Sequence, residues 1–352
     1  MHLRLRPKNL FSGANAGAIN VERQGTPLLK LNPLPHPVLE HTMKTFLPLL
    51  LLISLFACNA TQDPSAQPTK AGEAAPGHFS GSLTEYWYEG KAEINTYDLE
   101  QARYGEIRPG QVSMVFVSED FLTDKQVKND NYTNPNSTPV LKTNIIRRFV
   151  TGIYDYSIMT SVFSPTKTSE EPHTLKVTTS SQDWCGQTFT QLNYAGGGQW
   201  NKQIRSYFER EGDVNETIPA DFLEDELFNR IRSGGDKLPV GEFSIVPSTS
   251  YLLMTHKPYQ ARRATVSLQN YEGNEATEPT KAYVIDYVAD NRKLEIFFAA
   301  EAPYTITGWN ETYPERGRSL VTKARLTHQK RAPYWSQNSV ADEGLRADIG
   351  LE

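Results

Sequence analysis

Tyr283-Val284-Ile285-Asp286-Tyr287 and Leu294-Glu295-Ile296-Phe297-Phe298 are two short runs of β-branched and aromatic residues on either side of Asp290-Asn291. Such side chains suit a pleated, half-buried surface. Asp and Asn tolerate the backbone of a tight reversal, so residues 283–298 read as an antiparallel hairpin. The same composition recurs upstream in Val112-Ser113-Met114-Val115-Phe116-Val117, Leu175-Lys176-Val177-Thr178-Thr179 and Ala264-Thr265-Val266-Ser267-Leu268. Downstream, Leu320, Thr322, Ala324 and Leu326 alternate with Lys323 and Arg325, as the two faces of a closing strand require.

Working outward, residues from Phe79 to the C-terminus hold 34 aromatics in segments separated by Gly, Pro, Asn and Asp. Strands without intervening helices exclude a doubly wound parallel fold. One helix is expected near 219–232. There Pro219 suits a first turn, Glu224, Asp225 and Glu226 complement the N-terminal end, Arg230 and Arg232 complement the C-terminal end, and Gly234-Gly235 stops it. Leu223, Leu227, Phe228 and Ile231 form its apolar stripe. The expected fold is mainly β (α+β): a curved antiparallel sheet, half-barrel or sandwich-like, with one covering helix. Residues 124–139, rich in Asn with Pro135 and Pro139, are expected to form a mobile loop, and Gly196-Gly197-Gly198 a loop between strands. A short helix is expected over 339–348, with Val340, Leu345 and Ile349 inward.

The N-terminal region reads as an address. Residues 43–57 carry Lys44 ahead of a Leu-rich apolar stretch too short to span a bilayer, the pattern of a signal peptide. Leu55-Phe56-Ala57-Cys58 resembles the bacterial lipobox, which makes Cys58 the expected lipidation site. Residues 1–42 show no periodicity and read as a mis-assigned or disordered leader ahead of a true start at Met43. Residues 58–78, rich in Pro, Ala and small polar residues, read as a flexible tether, and 79–352 as a single β-rich domain. From Cys58 onward the chain carries thirty basic and thirty-nine acidic groups. Acyl chains rather than a basic patch must therefore hold it to a membrane. The expected place is the bacterial cell envelope, at the periplasmic side or outer membrane.

Charge and motifs narrow the chemistry. The whole chain has 36 basic and 41 acidic residues without a basic block, which excludes a phosphate-backbone binder and so a nucleic-acid partner. Two cysteines cannot build a zinc or iron-sulfur cage. His78, His173, His256 and His328 share no metal-binding spacing, and no phosphate-binding loop or nucleophile elbow occurs. No metal and no cofactor is expected. Cys185, in Asp183-Trp184-Cys185-Gly186-Gln187-Thr188, is the one thiol candidate for a nucleophile, with Trp184 and Gln191 shaping a pocket and a histidine as base. Thr188 stands where a dithiol motif needs its second cysteine, and the plain alternative is a buried thiol packed beside Trp184. Arg103, Glu106 and Arg108, with Glu93 and Glu100, read either as a polar cleft or as charge pairs on a solvated sheet face.

Four segments carry a resemblance over about residues 86–349: Trp87-Tyr88-Glu89-Gly90-Lys91-Ala92-Glu93-Ile94, Gln101-Ala102-Arg103-Tyr104-Gly105-Glu106, Thr151-Gly152-Ile153-Tyr154-Asp155-Tyr156-Ser157 and Thr178-Thr179-Ser180-Ser181-Gln182-Asp183-Trp184-Cys185-Gly186. The chain resembles a family of Bacteroidota envelope lipoproteins of unknown activity, many of which carry the inherited name septum formation inhibitor Maf. True Maf proteins are cytosolic nucleotide pyrophosphatases with a Ser-rich Arg-Arg motif. Arg147-Arg148 and Arg262-Arg263 lack that context, so no Maf residue is carried over. The expected function is a non-enzymatic, lipid-anchored protein whose aromatic-rich sheet binds an apolar ligand or an envelope protein. The alternatives are a Cys185-dependent hydrolase or transferase and, by inherited name only, a Maf-like pyrophosphatase.

Overall fold

The computed structural model describes residues 82–167, 172–273 and 278–351. The segments read as leader, signal peptide and tether, with Cys58, lie outside the described residues. A short helix, α1 (Ser82–Tyr88), leads into β1 (Ala92–Arg103), β2 (Glu106–Leu122), β3 (Val127–Lys128), β4 (Ser137–Thr151) and β5 (Tyr154–Pro165). Then follow β6 (Lys176–Asp183), β7 (Gly186–Gly196), β8 (Gln199–Ser206), β9 (Asp213–Pro219) and β10 (Phe222–Leu223). A 3-10 turn (Glu224–Glu226) enters α2 (Leu227–Gly234), followed by β11 (Gly241–Val246) and α3 (Thr249–Thr255). The chain closes with β12 (Arg262–Tyr271), β13 (Thr280–Tyr287), β14 (Arg292–Ala299), β15 (Ile306–Glu315) and β16 (Arg318–Ala332).

All sixteen strands belong to one sheet, ordered β10-β11-β12-β13-β14-β15-β16-β1-β2-β4-β5-β6-β7-β8-β9, with β3 paired to β2. Every pair is antiparallel except β10–β11, so the sheet is mixed, curved and not closed into a barrel. The 283–298 hairpin forms as read, with Tyr283 opposite Ile296 and Asn291 at φ 49° in the left-handed region. Strand β16 pairs with both β15 and β1, and so splices the C-terminal strands to the N-terminal ones.

The helix differs from expectation in its start and its place. Pro219 ends β9 rather than opening a helix, Phe222-Leu223 adds a short parallel strand, and the α-helix begins at Leu227. It is enveloped rather than laid over a surface. Phe228 meets Trp309 of β15 edge to face at 5.3 Å. Asn229 donates to the Leu141 carbonyl of β4 (2.7 Å) and to Ser164 of β5 (3.1 Å). Arg232 pairs with Glu93 of β1. Strands from both halves of the sheet thus converge on one helix, and Phe116, Tyr283, Ile296, Phe298 and Trp309 fill the space around it. Fully burying each such side chain stabilises by roughly 1.5–3 kcal/mol.

Three local readings are corrected. Within 124–139, β3 pairs with β2 and β4 starts at Ser137. The Asn129 and Asn134 carboxamides accept from the backbone N–H groups of Tyr132 and Asn136, which replaces a floppy loop with side-chain-capped turns. The C-terminal segment is a 3-10 helix (Val340–Ile349) with a Ser339/Asp342 capping box, and Val340 points to solvent. Glu93 and Arg103 are buried inside the sheet, whereas Glu106–Arg108 and Glu100–Lys323 do pair on the solvated face.

Candidate functional site: a cleft at the sheet seam and a hairpin rim

The two sheet edges are consecutive in the chain. β9 ends at Pro219 and β10 begins at Phe222; between them the Ala220 N–H donates to the Gly198 carbonyl (3.0 Å) and that of Asp221 to the Ser244 carbonyl (2.7 Å). A cleft of about 600 Å³ opens where β8 and β9 leave that edge and the segment His256–Tyr259 crosses from α3 towards β12. Ile204, Phe208, Val214, Pro258 and Tyr259 line it with apolar surface. Lys202, buried, closes its base by donating to the Tyr259 carbonyl (3.1 Å) and to Glu216. At the mouth His256 Nδ1 lies 2.7 Å from Glu211 and the His256 ring stands edge to face on Phe208. Lys257 donates to the Tyr251 hydroxyl (2.7 Å), while Arg210 extends into solvent. Such a cleft, apolar inside with a few polar groups at its mouth, is the usual form of a small-molecule site.

Beneath the cleft the interior is ionic. Arg292 of β14 donates to both oxygens of Glu224 (2.5 and 2.6 Å) and to Glu311 of β15 (2.7 and 2.9 Å), and Tyr287 donates to Glu224 at 2.6 Å. Burial by itself would lower the Arg292 guanidinium, but Glu224 and Glu311 hold it charged. The acidic triplet therefore does more than complement a helix end: all three carboxylates are buried, and each has its own task. Asp225 accepts from the Thr249 N–H at the start of α3 (2.9 Å), and burial raises its carboxyl to about 6. Glu226 pairs with Arg230 one turn on. A second set joins Arg232 to Glu93, which also accepts from Tyr86 and from Asn95 (2.7 Å), while Arg147 donates to Gln101 at 2.9 Å.

The thiol candidate lies elsewhere. Trp184 and Cys185 form the tip of the β6–β7 hairpin, where Asp183 Oδ1 accepts from the Cys185 N–H (2.7 Å) and the Gly186 N–H (3.2 Å). Cys185 is exposed, not packed in the core, and Trp184 is 72% exposed. Gln191 is six residues along β7, roughly 20 Å away at strand rise, and donates to Asn193 (2.6 Å), so it and Cys185 share no pocket. None of the three described histidines reaches the thiol: His256 faces the seam cleft, His173 stacks on Tyr194 at 4.8 Å, and His328 lies beside Gly350. The thiol's neighbours are Trp184 and Tyr154.

The seam cleft escaped the sequence reading because its walls come from residues 202–216 and 256–259, which no motif or period links. His256 was the one signal, as a histidine without a motif. Among the described residues no cluster of metal-ligating side chains occurs, and no helix is long and apolar enough to cross a membrane. Comparison with family models, with curated proteins and with solved structures finds no match to this chain.

Proposed function

We propose that this chain is a lipid-anchored protein of the bacterial envelope that binds an apolar or amphiphilic small molecule in the seam cleft and does no covalent chemistry on it. The observation that carries this reading is the cleft itself. Ile204, Phe208, Val214 and Pro258 offer an apolar floor, and the charged groups Arg210, Glu211, His256 and Lys257 stand at the mouth. An apolar ligand body loses water against that floor while a polar end stays among the charges. Around α2 the space is filled by packed side chains and ion pairs, so this reading places the ligand in the seam cleft with its apolar floor. The lipobox at Cys58 supplies the address.

Native mass spectrometry of the full chain isolated from an envelope fraction, before and after organic extraction, tests the reading. The expected result is a stoichiometric extractable mass that Val214→Trp, which fills the cleft, abolishes. A bare polypeptide mass in both samples overturns it.

A further inference from the structure

Because neighbouring strands are antiparallel, β1, β4, β6, β8, β13 and β15 all end at one rim of the sheet. Three adjacent turns of that rim join into an aromatic ridge. Tyr104, at the β1–β2 turn, shares a hydroxyl hydrogen bond with Tyr156 (2.7 Å). Tyr154, just after the β4–β5 turn, lies 6.4 Å from Trp184 at the β6–β7 tip. Beyond it the Tyr207 ring packs on Gly186 so closely that a Cβ there would come within 2.6 Å of the ring. Trp184 and Tyr207 are 72% and 68% exposed.

Polar groups back this ridge. Arg103 is buried to nine-tenths or more beneath it, donates to the hydroxyls of Tyr156 (3.0 Å) and Tyr104 (3.2 Å), and keeps its Nε without a protein partner. Arg103 and Arg316 both lie over the Tyr104 ring, at 4.2 and 5.1 Å. Thr151 and then Tyr104 lower the Tyr154 phenol by favouring its charged form. Asp155, exposed, adds an acceptor at the same turn.

The exposed rings of Trp184 and Tyr207 and the half-exposed ring of Tyr154, interleaved with donors and acceptors of both charge signs, match one ligand chemistry. A pyranose sugar presents an apolar C–H face that packs on an indole or phenol ring, and a girdle of hydroxyls that needs mixed donors and acceptors. A bilayer surface fits less well, because Asp155 and Asp183 sit at the same tips, where a carboxylate faces anionic headgroups and pays for desolvation. The geometry points to a glycan-binding platform on this rim, formed by Tyr154, Trp184 and Tyr207 and backed by Tyr104, Arg103 and Arg316, which takes a chain of pyranose units across adjacent hairpin tips. It borders the seam cleft where Tyr207 stands edge to face on Phe208 at 5.5 Å, and its rings lie outside the cleft lining.

Affinity electrophoresis of the full chain carrying Cys58→Ser tests it, with dextran, mannan and N-acetylglucosamine tetramer as probes. At least one probe is expected to bind, with affinity reduced about tenfold or more by Trp184→Ala and by Tyr154→Ala. Tyr154→Phe, which keeps the ring, should retain most of the binding, and Val214→Trp in the cleft should leave it unchanged. Equal thermal midpoints across the set separate lost contacts from lost fold. Failure to bind any of the three probes, or binding that Trp184→Ala leaves intact, overturns the platform. So does binding to phosphatidylethanolamine/phosphatidylglycerol vesicles that Trp184→Ala weakens while no glycan binds, since that outcome makes the rim a membrane contact.

Discussion

The surroundings of α2 and the hairpin rim draw on the same residue types, arginine, carboxylate, tyrosine and tryptophan, and use them in opposite ways. Around α2, Arg292 and Arg232 are buried and paired with Glu224, Glu311 and Glu93, and Trp309 is wedged against Phe228. At the rim Trp184 and Cys185 face solvent on a turn held by one aspartate. Burial rather than residue type separates a structural charge from an available one. A buried ion pair gains little over an apolar replacement, yet breaking it is costly because the partner charge is stranded. An exposed ring or thiol costs little to remove and is free to meet a ligand.

The contrast can be broken at several points. Arg292→Leu strands Glu224 and Glu311 and should lower stability by about 3–5 kcal/mol in urea denaturation at pH 7. Neutralising both carboxylates in that background, with Glu224→Gln and Glu311→Gln, should recover part of the loss. A cost under about 1 kcal/mol would mean that water reaches these charges in the native state.

Asp225 gives the next largest effect, and it depends on pH. Its folded carboxyl is raised to about 6 from an ordinary 3.8, chiefly by burial. The stability that its neutral form contributes is therefore fully present below pH 3.8 and is lost as pH rises through 6. Asp225→Asn stays neutral and can still accept from Thr249. Its stability relative to the parent should be about 2–3 kcal/mol more favourable at pH 7.5 than at pH 4. A gap that does not change with pH would show that the carboxyl ionises there as freely as in water.

At the rim the effects shrink. Cys185 should alkylate in the folded protein within a few-fold of its rate in denaturant. Strong protection instead would return this thiol to the core. Trp184→Ala should change stability by no more than about 0.5 kcal/mol by thermal melting, in keeping with an exposed tip.

Strand composition made part of the sheet legible, in β2, β6, β12, β13, β14 and β16, while β4, β5, β9, β11 and β15 went unread. The 283–298 hairpin, the alternation at 320–326 and the glycine turn at 196–198 are local features, written in consecutive residues. The helix was legible in kind but not in place. A stripe of Leu227, Phe228 and Ile231 says which side is apolar, and nothing in it says that Asn229 and Arg232 beside it are buried too. Glu224 and Asp225 therefore read as helix-end charges, when their partners stand far along the chain, at Arg292 and Thr249, while Glu226 pairs locally with Arg230. Glu93 and Arg103 were misplaced for the same reason: alternation in a strand gives two faces but not which of them is inside.

By itself the sequence determined a β-rich chain of antiparallel hairpins with a helix that ends at Gly234-Gly235, because strand propensity, turn chemistry and helix termination act over a few residues. Only the tertiary structure decided that the sheet folds around the helix, that its two edges come together at Ala220-Asp221 to leave a cleft, and that Cys185 lies at an exposed tip apart from Gln191 and every described histidine. Those outcomes depend on which distant strands pair and which charges find partners across the interior, and no local stretch of sequence carries that information.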